Sequence, residues 1–393
     1  MMSTAQKMRE YTGLAIFERG FRPFFLGAGL FAGLIMPLWV LVLVSDYPVP
    51  GHFQARDWHL HEMIFGFIPA VLAGFLLTAI PNWTGRLPVL GMPLAALWCL
   101  WIAGRIAVSF SQYSPLVAAI IDSGFLVVFA LLVWREILTG RNFRNVPIGL
   151  LVTGFALANI AFHYLHIIDG SSYWVERLAL GVVAMLLVLV GGRITPSFTL
   201  NWMRQRKLEP PAVFSSFDKI AMSAAGLAVM AWVLYADHVV TGWLFVVAAI
   251  LSCARIARWR GLSVISEPLL FVLHLGQLWI PVWFLLMALA ILAPDMIDET
   301  SALHALSAGA VGTMTLAVMT RASLGHAGRP LKAGKGAITI FTLVILAALV
   351  RICANWLPFD YMQILTVSGL LWSAGFLLFF ILWAPLLTTR KKA

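Results

Sequence analysis

The stretch LHEMIFGFIPAVLAGFLLTAIPNWTGR, residues 60–86, decides the fold. After His61 and Glu62 it carries no charged side chain until Arg86, and as a helix it is long enough to cross about 30 Å of hydrocarbon. Such runs recur along the chain. We place twelve spans at roughly 24–44, 60–80, 92–110, 115–134, 147–168, 176–194, 217–236, 241–257, 267–292, 302–321, 337–354 and 361–384. Segments rich in Pro, Gly and charge separate them, as in PNWTGRLPVLGMP and NWMRQRKLEPP. With 61% hydrophobic and only 11% charged residues, the composition excludes a soluble globular enzyme. The expected class is all-α: a polytopic membrane protein forming a single transmembrane domain. The first twenty residues are polar and show no apolar run before Phe24, so no cleavable signal peptide is expected. Cys99, Cys253 and Cys353 stand alone in apolar runs and read as small buried hydrophobes, not as a disulfide or zinc framework.

The formal charge of +10 is a topology signal. Cations collect at the N-terminus (Lys7, Arg9, Arg19, Arg22) and tail (Arg390, Lys391, Lys392), and in alternate loops. Those loops hold Arg86; Arg135, Arg141 and Arg144; Arg204, Arg206 and Lys207; Arg255, Arg258 and Arg260; and Arg329, Lys332 and Lys335. Of the other loops, the ninth, APDMIDETS, is acidic, and the first has only Arg56 beside Asp46 and Asp57. The positive-inside rule then puts both termini in the cytoplasm. The basic charge faces anionic lipid at most, and nucleic acid is excluded as a partner.

The tenth span repeats the second. It reads LHALSAGAVGTMTLAVMTRASLGHAGR, residues 303–329, and His304 lies 25 residues before Arg329, as His61 lies 25 before Arg86. The sixth span ends VGGRITPSFTLNW, while GRIA at Arg105 in the third matches VRIC at Arg351 in the eleventh. Spans two, six and ten would then be equivalent, giving three repeats of four helices over 20–140, 141–262 and 263–393. Chance similarity is the alternative.

The histidines fall in one layer. His59 and His61 open span two, His304 opens span ten, and His163 and His166 end span five, all towards the outer face; His274 lies deeper in span nine. Ionisable residues inside a membrane mark functional sites by default. Neutral imidazole suits iron and copper, and two axial ligands from different helices would clamp a porphyrin between apolar walls. The structural alternative at each position is an interfacial hydrogen bond, which suits His166 and His238 best. Asn159 and His163, one turn apart, would serve equally as interhelical hydrogen-bonders. His59 and His61, two residues apart, point to different helix faces and would share one ion only if the helix began between them.

Arg105 and Arg351 need anionic partners when buried. Haem propionates meet that need by bidentate contact; a carboxylate such as Asp122 or Asp360 meets it equally. Glu62 and Glu267 are proton-carrier candidates, and Glu62, beside His61, is preferred. Gly66, Gly74, Gly309 and Gly312 read as points of close helix approach.

FRPFFLGAG, WHLHEMIFGF, GFLLTAIPNWTGR, PSFTLNW, LHLGQLW and LHALSAGAVGTMTLAVMTRASLGHAGRPL together resemble the NnrS family over nearly the whole chain. The resemblance implies twelve helices in the bacterial inner membrane, a haem (b-type) with copper or non-haem iron, and a role in nitric oxide metabolism and nitrosative stress. It carries His59, His61, His274 and His304 over as metal-ligand candidates, with His163 as a weaker one. The expected arrangement has His61 and His304 as opposed axial haem ligands, and Arg105 and Arg351 on the propionates. His274 with His59 or His163 would hold the second metal, and Glu62 would relay protons. Nitric oxide would be the ligand or substrate, removed by reduction from an unidentified electron donor or by sequestration. The architecture is more loosely similar to the haem–copper oxidase and nitric oxide reductase catalytic subunit. It departs there, because spans six and seven hold no internal His. The rival functions are a secondary transporter or metal exporter, and a haem-binding sensor or maturation factor without turnover.

Overall fold

The computed structural model describes residues 11–45, 47–84, 87–170 and 172–390, with side chains described except at 82–84. Lys7, Arg9, Asp46, Arg86, Lys391 and Lys392, which enter the charge pattern and one end of the repeat, lie outside the described residues. Twelve helices are long and apolar enough to cross a membrane. They are α1 (Phe21–Val44), α2 (Ala55–Pro81), α3 (Met92–Ser109), α4 (Pro115–Thr139), α5 (Phe143–Ile167) and α6 (Tyr173–Gln205). The remainder are α7 (Ser216–Leu234), α8 (Val239–Ala257), α9 (Pro268–Leu292), α10 (Glu299–His326), α11 (Lys335–Ile352) and α12 (Tyr361–Thr388). No strand occurs among the described residues. Helices satisfy every backbone hydrogen bond within one segment, which lipid demands.

Two expectations are corrected. The second span begins at Ala55, five residues before the apolar run, because Asp57 in its first turn is favoured by the helix dipole. Cys99 and Cys253 are exposed, not buried. Leu116, Ile120, Leu131, Leu150 and Leu157 are exposed likewise. In lipid no hydrophobic force drives a small apolar side chain inward, so a thiol sits as readily on the outer face of the bundle.

The most enclosed helices are α2, α10 and α6, with 78%, 72% and 67% of their apolar windows buried, against at most 50% elsewhere. Each of these three widens into a π-helical stretch, at Glu62–Phe67, Leu187–Gly191 and Ala305–Val311. Such stretches leave carbonyls without their usual partners and concentrate at functional sites. Side chains from neighbouring helices supply donors. Trp101 Nε1 donates to Gly66 O at 2.9 Å, Gln277 Nε2 to Leu187 O at 3.3 Å and Arg255 Nη1 to Val188 O at 3.2 Å. His61 and His304 each stand immediately before a π-helical stretch.

The chain divides into two compact units. The first comprises Met1–Ala179, Met319–Pro330 and Phe376–Ala393. In it Arg22, at the start of α1, donates Nη1 to the carbonyls of Leu386, Leu387 and Thr389 and so satisfies the orphan acceptors ending α12. The second comprises Leu180–Val318 and Leu331–Gly375. Trp232, Phe245, Trp283 and Phe284 form its aromatic core. Gly312 there admits the Trp372 ring; a Cβ at Gly312 would stand 2.5 Å from a ring carbon, so close helix approach requires glycine.

Candidate metal centre

The first unit carries a buried polar cluster between α2, α4 and α5. His61 Nε2 lies 3.2 Å from His163 Nε2 and 3.2 Å from Asp122 Oδ2, while His163 Nε2 lies 2.9 Å from the same carboxylate oxygen. These three atoms form a nearly equilateral triangle of donors, and all three side chains are buried. An ion bound at about 2.1 Å from each would sit about 1 Å out of their plane. Two imidazoles and one carboxylate on one face suit a transition metal and leave its remaining positions for a small ligand.

Further contacts hold the donors in place. Glu62 Oε1 accepts from His61 Nδ1 at 3.1 Å, which turns the lone pair of Nε2 towards the triangle. Arg105 of α3 reaches both carboxylates, donating Nη1 to Glu62 Oε1 at 2.8 Å and pairing Nη2 with Asp122 Oδ1. Asn159 Nδ2 donates to Asp122 Oδ2 at 2.9 Å. Gly66 leaves room for the guanidinium: its Cβ would stand 2.5 Å from Arg105 Nη1. Phe53, Phe65 and Phe162 enclose His61, with ring centroids 5.0, 5.5 and 5.5 Å away. The walls are therefore apolar and suit a small uncharged molecule.

Outside this cluster, His166 bonds to Asp57 at 3.1 Å and to Phe162 O at 2.9 Å, while Arg56 pairs with Glu176 at 2.5 Å. Phe53 also packs on His163 and His166, at 5.5 and 4.9 Å between ring centroids.

Of the other predicted ligand candidates, His59 belongs to the first unit, and His274 and His304 to the second. His59 points away from His61 and stacks on Trp39 at 4.4 Å, as their spacing requires. His274, in the second unit, bonds through Nε2 to Thr199 Oγ1 at 2.8 Å, and its buried Nδ1 has no hydrogen-bond partner. The Thr199 hydroxyl donates to Thr195 O at 2.9 Å, so it accepts from His274 and leaves Nδ1 as a bare lone pair. His304, also in the second unit, donates Nδ1–H to Thr300 O at 2.7 Å, which leaves Nε2 as the lone-pair nitrogen. Arg351 lies close enough for its charge to act on His304, and its buried Nη1 has no hydrogen-bond partner. Asp298 caps α10 by accepting from Ser301 N at 2.8 Å. Burial pushes its carboxyl up, but the Ser301 and Asn355 donors outweigh this and hold it below its ordinary value.

The surroundings test which group each histidine fits. A porphyrin on His61 Nε2 would need a clear plane around that nitrogen, where His163 and Asp122 already stand. Haem does not fit there, whereas a bare ion does. His304 is half-buried with a free Nε2, and the orphaned Arg351 Nη1 is the kind of donor a propionate would engage. Those two residues fit haem.

Asp122 is the member of the triangle that sequence reasoning missed, having weighed it only as a partner for Arg105. The available signal was a lone carboxylate in the middle of an otherwise uncharged span.

A family model described as "NnrS protein" matches residues 15–391. No curated protein matches the chain.

Proposed function

Because the chain belongs to the NnrS family, we propose that it is a multi-pass metalloprotein of the bacterial inner membrane, with both termini cytoplasmic, that binds nitric oxide and relieves nitrosative stress. The observation that carries this reading is the triangle of His61 Nε2, His163 Nε2 and Asp122 Oδ2, with sides of 3.2, 3.2 and 2.9 Å, inside an aromatic wall. Three fixed protein donors leave an ion with open positions, and a neutral diatomic gas partitions into apolar surroundings without losing a strong hydration shell.

The chain's own residues have distinct tasks. His61, His163 and Asp122 hold the ion. Glu62 orients His61, and Arg105 keeps Glu62 and Asp122 from standing as unpaired charges. Phe53, Phe65 and Phe162 exclude water. His304 and Arg351 would hold a haem by Nε2 and by its carboxylate, and a haem supplies one-electron chemistry and a second nitric oxide site. His274, with its bare Nδ1, and His59, stacked on Trp39, stand outside the triangle.

A transporter reading calls for helices broken at a polar midplane. Here α2, α6 and α10 widen into π-helical stretches and continue. The test is the absorption spectrum and metal content of purified protein, oxidised and reduced, with and without nitric oxide. The expected result is bound haem and a second metal, with spectral shifts on adding the gas. Protein from haem- and metal-replete cells that holds neither would overturn the reading. Consumption of nitric oxide with a chemical reductant would make the protein an enzyme; binding alone would make it a sink or sensor.

A further inference from the structure

Two loops of the second unit are bonded into one surface. One is the segment 206–215 between α6 and α7, and the other is the segment 258–267 between α8 and α9. Ala212 N donates to Arg258 O at 3.2 Å, while Arg258 Nη2 donates to Val213 O at 3.3 Å and to Ser215 Oγ at 3.0 Å. Arg260 pairs with Glu209 from one loop to the other. The surface is apolar at its tips: Val213, Phe214, Leu262 and Ile265 are 84, 56, 81 and 54% exposed.

The patch lies level with the ends of the spans. Phe214 is two residues before Ser216, where α7 begins, and Ile265 is three before Pro268, where α9 begins. At no more than about 3.6 Å per residue, they stand within about 7 and 11 Å of those ends. That is the level of the headgroup layer, so an apolar patch held there meets lipid before it meets a soluble protein.

The charge beside it is positive. Arg255 and Arg258 both approach Asp218, each at 3.4 Å, so the three together carry one positive charge. Lys219, exposed in the first turn of α7, pairs with no carboxylate among the described residues and adds a second. Arg258 is held in one pose, with its guanidinium 5.0 Å from the Phe217 ring centroid. Its contacts to Val213, Ser215 and Asp218 engage three of its five N–H groups and leave two for an incoming anion.

We propose that this surface binds an anionic phospholipid. Arg258 and Lys219 take the phosphodiester oxygens, and Val213, Phe214 and Ile265 enter among the upper acyl carbons. A zwitterionic lipid offers the same phosphate but brings its own cation towards these two, so phosphatidylglycerol is preferred to phosphatidylcholine. In the orientation proposed above the surface faces the cytoplasmic leaflet. The binding itself depends neither on that orientation nor on any metal.

The experiment uses the full-length protein in a neutral detergent, titrated with either lipid at one chain length, with bound lipid counted by native mass spectrometry. The expected wild-type result is one phosphatidylglycerol per chain held about 25-fold more tightly than phosphatidylcholine, about fivefold for each cation. A photoreactive phosphatidylglycerol should label the segments 206–219 and 258–267. Lys219→Gln should lose about fivefold of the preference, and Lys219→Gln with Arg258→Gln should lose all of it. Phe214→Ser should weaken both lipids alike, whereas Arg141→Gln with Arg144→Gln, at the junction of α4 and α5, should leave the preference unchanged. Equal affinity for the two lipids, or a preference untouched by the Lys219 and Arg258 substitutions, would overturn the proposal. Displacement of the lipid by millimolar inorganic phosphate would also overturn it and assign the cations to a free anion. An acidic protein that copurifies with the wild type, blocks the lipid label and is lost in the double variant would give the surface to that partner instead. If Arg258→Gln does not purify as a folded species, Lys219→Glu on its exposed side chain decides: the preference should vanish, and its persistence would sink the site.

Discussion

His61 Nε2 and His163 Nε2 approach to 3.2 Å although 102 residues separate them in the chain. Two imidazole nitrogens meet so closely in a buried site when an ion or a proton lies between them, and Asp122 Oδ2 stands within 3.2 Å of both. Replacing His61, His163 or Asp122 by Ala should each abolish retention of the second metal, because two remaining donors do not hold an ion against a chelator. His166→Ala should retain it, since that ring bonds to Asp57 and Phe162 O. Metal content after chelator treatment and desalting checks both. Equal retention in wild type and His163→Ala would remove His163 from the ligand set.

Arg105 is the charge partner of both carboxylates. Arg105→Met should destabilise the protein by about 3–5 kcal/mol, as breaking a buried ion pair does. Adding Glu62→Gln and Asp122→Asn to Arg105→Met should restore most of the loss, because no uncompensated charge then remains buried. Thermal unfolding of the single and triple variants in one detergent measures this. A triple variant no more stable than Arg105→Met would mean that Arg105 acts through packing and not through charge.

His61→Ala should leave haem in place while His304→Ala removes it, because Nε2 of His61 faces other side chains and Nε2 of His304 is free. The Soret absorbance per chain reads this directly. Loss of haem in both variants would restore the pairing expected from sequence.

The fold was legible because each of the twelve apolar runs is long enough to span lipid alone. The opposed directions of His59 and His61 followed from helix geometry, and the polar residues of α2, α3 and α5 were each identifiable as misplaced in a membrane. What depth and spacing do not encode is which helices are neighbours. The sequence paired His61 with His304 through their matching spans; within the first unit the structure places His163 of α5 and Asp122 of α4 beside His61. The π-helical stretches were also hidden. A wider turn is chosen by what packs against it and by donors such as Trp101 Nε1 and Gln277 Nε2, not by a local composition.

Asp298 caps the first turn of α10, six residues before His304. Asp298→Ala should cost about 1 kcal/mol, the usual loss for an N-cap. The carboxyl is held below its ordinary 3.8 in the folded protein. Its stabilisation is therefore complete above that value and is lost as the pH falls through the lower folded value. Hydrogen exchange at Ser301 should report both effects, faster in the variant at neutral pH and faster in the wild type only on strong acidification. Exchange at Ser301 that is unchanged by the substitution would mean that other contacts hold the turn.

Phe53 packs on the histidines, 5.0 Å from His61, 5.5 Å from His163 and 4.9 Å from His166 between ring centroids. It touches rings but offers no ligand atom, so its effect should be kinetic. In Phe53→Ala the retained metal should match wild type at equilibrium, because the three donors are untouched. Its removal by a water-soluble chelator should be about ten times faster or more, since a change of 1.4 kcal/mol in a barrier is tenfold in rate and the lost ring seals the apolar wall. Stopped-flow chelation separates the two quantities. A lowered equilibrium content with an unchanged release rate would mean that Phe53 shapes the ligand set and does not gate access to it.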